Sequence, residues 1–202
     1  NNPLLSRLDH IDSIMDANPQ AAYDSLCTIK KTQNITSAKN VDMKWRMLMA
    51  TAQNKLYMHM PTDSAFSDVV AYYDRNGSDN EKMQSRYLLG CIYRDMNDAP
   101  KAIECYKQAL CYADTTDDNC NYNTLFRIYG QMAPLYVDNH LYTEALMTHQ
   151  KASIYALKAG DIYQYIRGKE LIGGDYHAMG DTLQAIAIAK SCIKLYEDNN
   201  MH

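Results

Sequence analysis

The chain is poor in residues that break or staple a backbone: eight glycines and five prolines in 202 residues. With a 47% apolar share, that scarcity excludes a disordered or collagen-like polymer. Long hydrophobic runs are missing as well, and the roughly 20 apolar residues needed to cross a bilayer are nowhere assembled. Basic charge is not in excess. A net charge of −4 and a pI near 5.8 give no footprint for a nucleic-acid backbone. The six cysteines (Cys27, Cys91, Cys105, Cys111, Cys120, Cys192) form no CxxC pair and no Cys/His ligand spacing, so no metal site and six free thiols are expected.

Catalytic patterns are equally scarce. There is no glycine-rich phosphate loop, nucleophile elbow or HExxH helix. His10, His59, His140, His149, His177 and His202 are scattered, and Asp117 and Asp118 form only a solvated loop pair. The sequence therefore predicts no enzyme, no catalytic residue and no cofactor.

What the chain has is a register. Gly90, Tyr93, Ala102, Tyr106 and Ala109 recur as Ala133, Tyr136, Ala145, His149 and Ala152, and again as Gly173, Tyr176, Ala185, Ala189 and Cys192. Identical offsets through different side chains indicate one supersecondary unit used three times. Apolar stripes of helical period flank a break at Asn97 and Asp98, at Asn139 and His140, and at Gly180 and Asp181. Each unit thus reads as two helices and a tight turn. Asp98 is placed to cap a second helix with Pro100 in its first turn, and Asp181 with Gln184 reads as a capping box. An interior helical glycine costs roughly 0.5–1 kcal/mol relative to alanine, so Gly90 and Gly173 require close approach of the paired helix.

Upstream the pattern is looser. A helix is predicted over 41–60 with Trp45, Leu48, Ala52 and Leu56 on one face, stopped by Pro61; Thr62 or Asp63 caps the next, which Asn76 and Gly77 end. A first pair spans 4–15 and 21–29, broken at Asn18 and Pro19. Met43, Met47 and Met49 beside Trp45 read as core filler. The expectation is one all-α domain over 1–202 of about five helix pairs, degenerate over 1–78 and with three recognisable repeats over 83–199.

The run Leu89-Gly90-Cys91-Ile92-Tyr93, followed by Ala102, Tyr106 and Ala109, resembles the tetratricopeptide repeat (TPR) family. Met132-Ala133 with Tyr136, Ala145 and Ala152 matches well, with His149 departing at an aromatic slot. Ile172-Gly173, Tyr176 and Ala185 also fit, with Ala189 in that slot. The resemblance implies an α-α superhelix, a TPR-like solenoid, that binds proteins or peptides without catalysis. Gly90, Ala133 and Gly173 lie 43 and 40 residues apart, against a usual period of about 34. Stretched periods resemble bacterial peptide-sensing and membrane-tethered regulators. By that analogy the chain is the sensory or interaction part of a larger bacterial regulatory protein, with a periplasmic, membrane-tethered address favoured over the cytoplasm. The start at Asn1 without an initiator Met, and a last repeat with no obvious capping helix, agree with a larger protein. A structural self-association module is the alternative.

In such stacks the first helix of each pair lines the concave face. The residues expected there are Tyr87, Cys91 and Arg94, then Arg127, Pro134 and Asp138, then Arg167, Glu170 and His177. Arg94, Arg127 and Arg167 would form a basic strip able to hold a carboxylate bidentately; otherwise they are ordinary charges paired with nearby acids. Pro134 either kinks its helix and widens the groove or bends it without consequence. Gln84 and Leu88, and Arg167 and Leu171, stand where chaperone-binding relatives carry a Lys and Asn clamp, so that clamp is not expected. Tyr87, Tyr122 and Tyr129 are the tyrosines outside the packing slots.

Overall fold

The computed structural model describes residues 2–117 and 119–201; Asn1, Asp118 of the loop pair and His202 lie outside them. Ten α-helices and no strand occur among the described residues. They are α1 (Pro3–Ile14), α2 (Pro19–Thr32), α3 (Lys39–Lys55), α4 (Asp63–Asn76), α5 (Asp79–Asp95), α6 (Ala99–Leu110), α7 (Tyr122–Asp138), α8 (Tyr142–Lys158), α9 (Ile162–Ala178) and α10 (Thr182–Asp198). Backbone contacts group them into two compact units, one up to Ala102 and one from Ile103.

The turns explain why the helices pair. At each break a residue adopts the left-handed conformation: Asn97 (φ 59°), His140 (φ 59°) and Gly180 (φ 83°). The repeat-slot tyrosine of the preceding helix then accepts a hydrogen bond from the main chain just beyond the turn. Asp98 N–H donates to Tyr93 C=O (2.9 Å), Leu141 to Tyr136 (2.9 Å) and Asp181 to Tyr176 (2.8 Å). These bonds, with a shorter-range one from each left-handed residue, satisfy carbonyls that a helix end leaves bare. Gly160 (φ 79°) closes α8 in the same way.

These locks also correct two expectations. Helix α3 ends at Lys55 rather than running to Met60, because Tyr57 (φ 53°) closes it before Pro61 is reached. Asp181 caps α10 through Gln184 N–H (3.1 Å), but its own N–H is committed to Tyr176, so the reciprocal half of the box has no donor. The complete box forms at α5, where Ser78 accepts from Glu81 N–H (3.4 Å) and Ser78 N–H donates to the Glu81 carboxylate (2.8 Å). Asp98 caps α6 through Lys101 N–H (3.2 Å), Thr62 caps α4 through Ala65 N–H, and Asn18 caps α2 ahead of Pro19.

In the first unit Leu8, Ile11, Leu26, Ile29, Trp45, Leu48 and Ala52 build one core joining α1, α2 and α3. Trp45 Nε1 donates to the Leu26 carbonyl (2.9 Å), so the buried indole leaves no polar group unpaired. Met43 and Met47 are buried as filler, and Met49 packs against the cluster.

The second unit packs α7 on α8, α8 on α9 and α9 on α10. Small residues permit this: Ala133, Ala145, Ala152 and Cys192 are buried in the slots the register assigned. Gly173 lies against α10, where an added Cβ would meet Ile188 Cγ2 at 3.3 Å. A tighter approach is at Gly168, whose Cβ would fall 2.8 Å from that of Ser153 on α8. Helix α7 runs on through Pro134, and the residue one turn back, whose carbonyl a proline ring crowds, is Gly130.

Candidate partner-binding surfaces

In the first unit the first helices of successive pairs, α1, α3 and α5, meet along polar seams. Between α1 and α3, Asp9 pairs with Lys44 and Asp16 with Lys55. Asp12 stands between those pairs with its side chain open to solvent. Surrounding protein nevertheless desolvates its carboxyl and raises the pKa above the ordinary aspartate value; Lys44 opposes the rise, and Asp16 and Asp9 reinforce it.

Between α3 and α5, Gln84 donates to Thr51 Oγ1 (3.3 Å), and Asn54 donates to the Tyr87 hydroxyl (3.2 Å) and accepts from Arg94 (3.2 Å). Arg94 also clasps Asp95 through Nε and Nη2 (2.8 and 2.7 Å). Its guanidinium is thus fixed from two sides while a quarter of the side chain (26%) stays exposed.

The structure distributes the expected residues unevenly. Tyr87 is 2% exposed and Cys91 fully buried, so both serve the helix seam and neither side chain reaches the surface. Arg94 is held as described. In the second unit Pro134 and Asp138 are exposed on α7 and Arg127 is half-buried there, while Arg167 and His177 are exposed on α9. Arg167 pairs with Glu170 one turn on, and that hydrogen bond raises the arginine pKa further. Two of the three arginines are therefore bound to acids of their own helix. Arg167 and Glu170 also line a cleft of about 490 Å³ between α9 and α10, with Gly173, Ile188, Cys192 and Tyr196. Beside it α10 buries only Cys192 and exposes Leu183 (83%), Ile193 (59%) and Ile186 (48%).

Sequence reasoning missed Asn54 and Thr51, which carry no repeat-slot signature, and Tyr155. Tyr122 and Tyr129 both stack on Tyr155, at 6.0 and 5.6 Å between ring centres, with Lys158 and Lys151 over the rings. No cluster of His, Cys, Asp and Glu suited to a metal occurs among the described residues, and no helix there is long and apolar enough to cross a membrane.

Residues 84–112, from within α5 through α6, match the tetratricopeptide repeat family. No curated protein sequence matches the chain. Among solved structures, BtubC (BKLC) from P. vanneervenii aligns with a TM-score of 0.65 at 13% identity, covering 98% of this chain and 83% of that one. A putative kinesin light chain of nearly identical TPR-like repeats from Podosopora anserina gives 0.62 at 14% identity, over 98% and 96%. MamA gives 0.55 at 13%, over 94% and 95%. The fold is that of a TPR-like helical repeat protein.

Proposed function

We propose that the chain is a non-catalytic scaffold that holds a protein or peptide segment along the first helices of its pairs. The observation that carries this reading is the fixed Arg94. Asn54 and Asp95 position a guanidinium on the α3–α5 seam, in line with the charged α1–α3 seam, and a preorganised side chain loses less entropy when it engages an acidic group. The alternating Asp and Lys of α1 and α3 supply charge complementarity for register. By the sequence analogy the scaffold belongs to a larger bacterial regulatory protein at an extracytoplasmic site.

Selection from a displayed peptide library provides the test. Replacing Asn54 by Ala, which releases Arg94, should weaken captured peptides at least about tenfold, the loss of roughly one charge-assisted contact. Replacing Arg94 itself by Ala should abolish capture with helicity intact. Undiminished capture by both variants would place the binding surface elsewhere.

The exposed Leu183, Ile186 and Ile193 favour a second reading, self-association through α10, since contiguous apolar patches mark interaction sites. Light scattering across a concentration series separates the two: a strict monomer removes self-association, and an oligomer that Ile193→Glu dissolves supports it.

A further inference from the structure

A cleft of about 440 Å³ opens in the first unit between α2, α3 and the start of α4. Clefts of roughly 300–1,000 Å³ suit small organic ligands. Its walls are apolar and soft: Trp45, Met49, Met60 and Phe66. Three basic side chains, Lys30, Arg46 and His59, also line it, and no carboxylate does among the described residues. That is a local reversal of sign in a chain of net charge −4.

The cleft is separate from the surface proposed above. Successive helix positions turn by about 100°, so Trp45, Arg46, Met49 and Gln53 occupy one side of α3, and Thr51 and Asn54, which bond to α5, the opposite one. The cationic groups are also arranged for use. Arg46 donates through Nη2 to the Ala65 carbonyl, which fixes a guanidinium that carries five donors. Lys30 Nζ lies 5.1 Å from the centre of the Trp45 ring, so the carboxylate of a ligand whose body lies against the indole is within reach of the ammonium. A carboxylate leaving water requires such paired charges, while an apolar body gains from burial against the indole and thioethers.

We propose that this cleft binds a small amphipathic organic acid: one carboxylate on an aromatic or aliphatic body, free in solution rather than carried on a polypeptide. The carboxylate sits among Lys30, Arg46 and His59, and the body lies on Trp45 between Met49 and Met60.

Trp45 is the one tryptophan of the chain, so its fluorescence reports occupancy of the cleft without a label. The intact protein is titrated with 4-phenylbutyrate, 4-methylpentanoate and octanoate, and with the neutral 4-phenylbutanamide. At least one acid should saturate the emission change with Kd below about 1 mM, and the amide should bind at least tenfold more weakly than 4-phenylbutyrate. Lys30→Gln, at an exposed position, should weaken the preferred acid severalfold, and Lys30→Gln with Arg46→Gln should erase the preference for acid over amide. Failure of all three acids to saturate up to about 10 mM, or equal binding of acid and amide, overturns the proposal. Tighter binding of N-acetyl-leucylphenylalanine than of any free acid overturns the small-molecule source and assigns the cleft to a chain terminus.

Discussion

His149 Nδ1 and Asp175 Oδ2 lie 2.6 Å apart, their side chains 5% and 4% exposed, and this bond helps tie α8 to α9 inside the second unit. His149 holds the slot that Tyr106 fills in the first recognisable repeat, and Asp175 precedes the slot tyrosine Tyr176. Removing one member leaves the other buried without its partner. Asp175→Ala should therefore cost roughly 1–3 kcal/mol in urea unfolding, the penalty of a buried polar group left without its hydrogen bond. The double change His149→Phe with Asp175→Ala, which removes both polar groups, should recover at least half of that loss. A double variant no better than the single would mean that the pair itself stabilises the seam.

Glycines in α9 should separate by what faces them. Gly168→Ala forces a methyl group to 2.8 Å from Ser153 Cβ and should destabilise by about 1–3 kcal/mol. Gly174→Ala, with nothing within 4 Å, should instead stabilise by up to about 1 kcal/mol. Thermal unfolding of the two variants gives opposite signs if the helix contact is as close as described.

The turn locks carry a third expectation. His140 bears a side chain at φ 59°, a conformation that only glycine adopts without steric cost. His140→Gly should raise stability by about 1 kcal/mol, despite the loss of its contact with the Tyr142 hydroxyl (2.9 Å). Gly180→Ala should lower it at the equivalent place.

Acid titration tests the desolvation of Asp12 on the α1–α3 seam. Because the Asp12 pKa is raised, the folded state holds this proton more tightly than the unfolded one. Stability then falls as pH rises from the ordinary aspartate range through the folded value, and the penalty remains at neutral pH. Asp12→Asn should be more stable than the parent at pH 7, with the gap narrowing as both are acidified. An unchanged gap between pH 3 and pH 7 would show that folding leaves the Asp12 pKa where it was.

Much of this fold was legible because small residues and turn residues leave marks at fixed offsets. Gly173, Ala133, Ala145 and Cys192 all sit at helix contacts, and the breaks at Asn97, His140 and Gly180 became the left-handed turns. The surface was less legible, since a periodic pattern states which side of a helix faces inward and is silent on how closely the next helix covers it. Tyr87 and Cys91 lie on the expected side of α5 yet beneath the α3 seam, while Arg94, one turn further along, emerges from it. Asn54 left no mark at all, because its importance comes from Tyr87 and Arg94, which lie on another helix and far along the chain. Gly168 was hidden for a related reason: its partner is Ser153, an unremarked polar residue of the neighbouring helix.

Helices α7, α8, α9 and α10 are all of one length, and their first residues, Tyr122, Tyr142, Ile162 and Thr182, follow one another at a constant stride. The same stride separates the start of α5 at Asp79 from the start of α6 at Ala99. The spacing from Ala133 to Gly173 is thus two equal strides, and the longer one from Gly90 to Ala133 contains the extended connection before α7. A stride of one helix and one lock is a smaller module than the pair. Excising a single stride from the second unit would leave every remaining lock intact but invert the parity of all that follows, turning inner helices into outer ones. Insertions or deletions of two strides preserve the face offered to a partner, whereas odd numbers of strides exchange it for its reverse side.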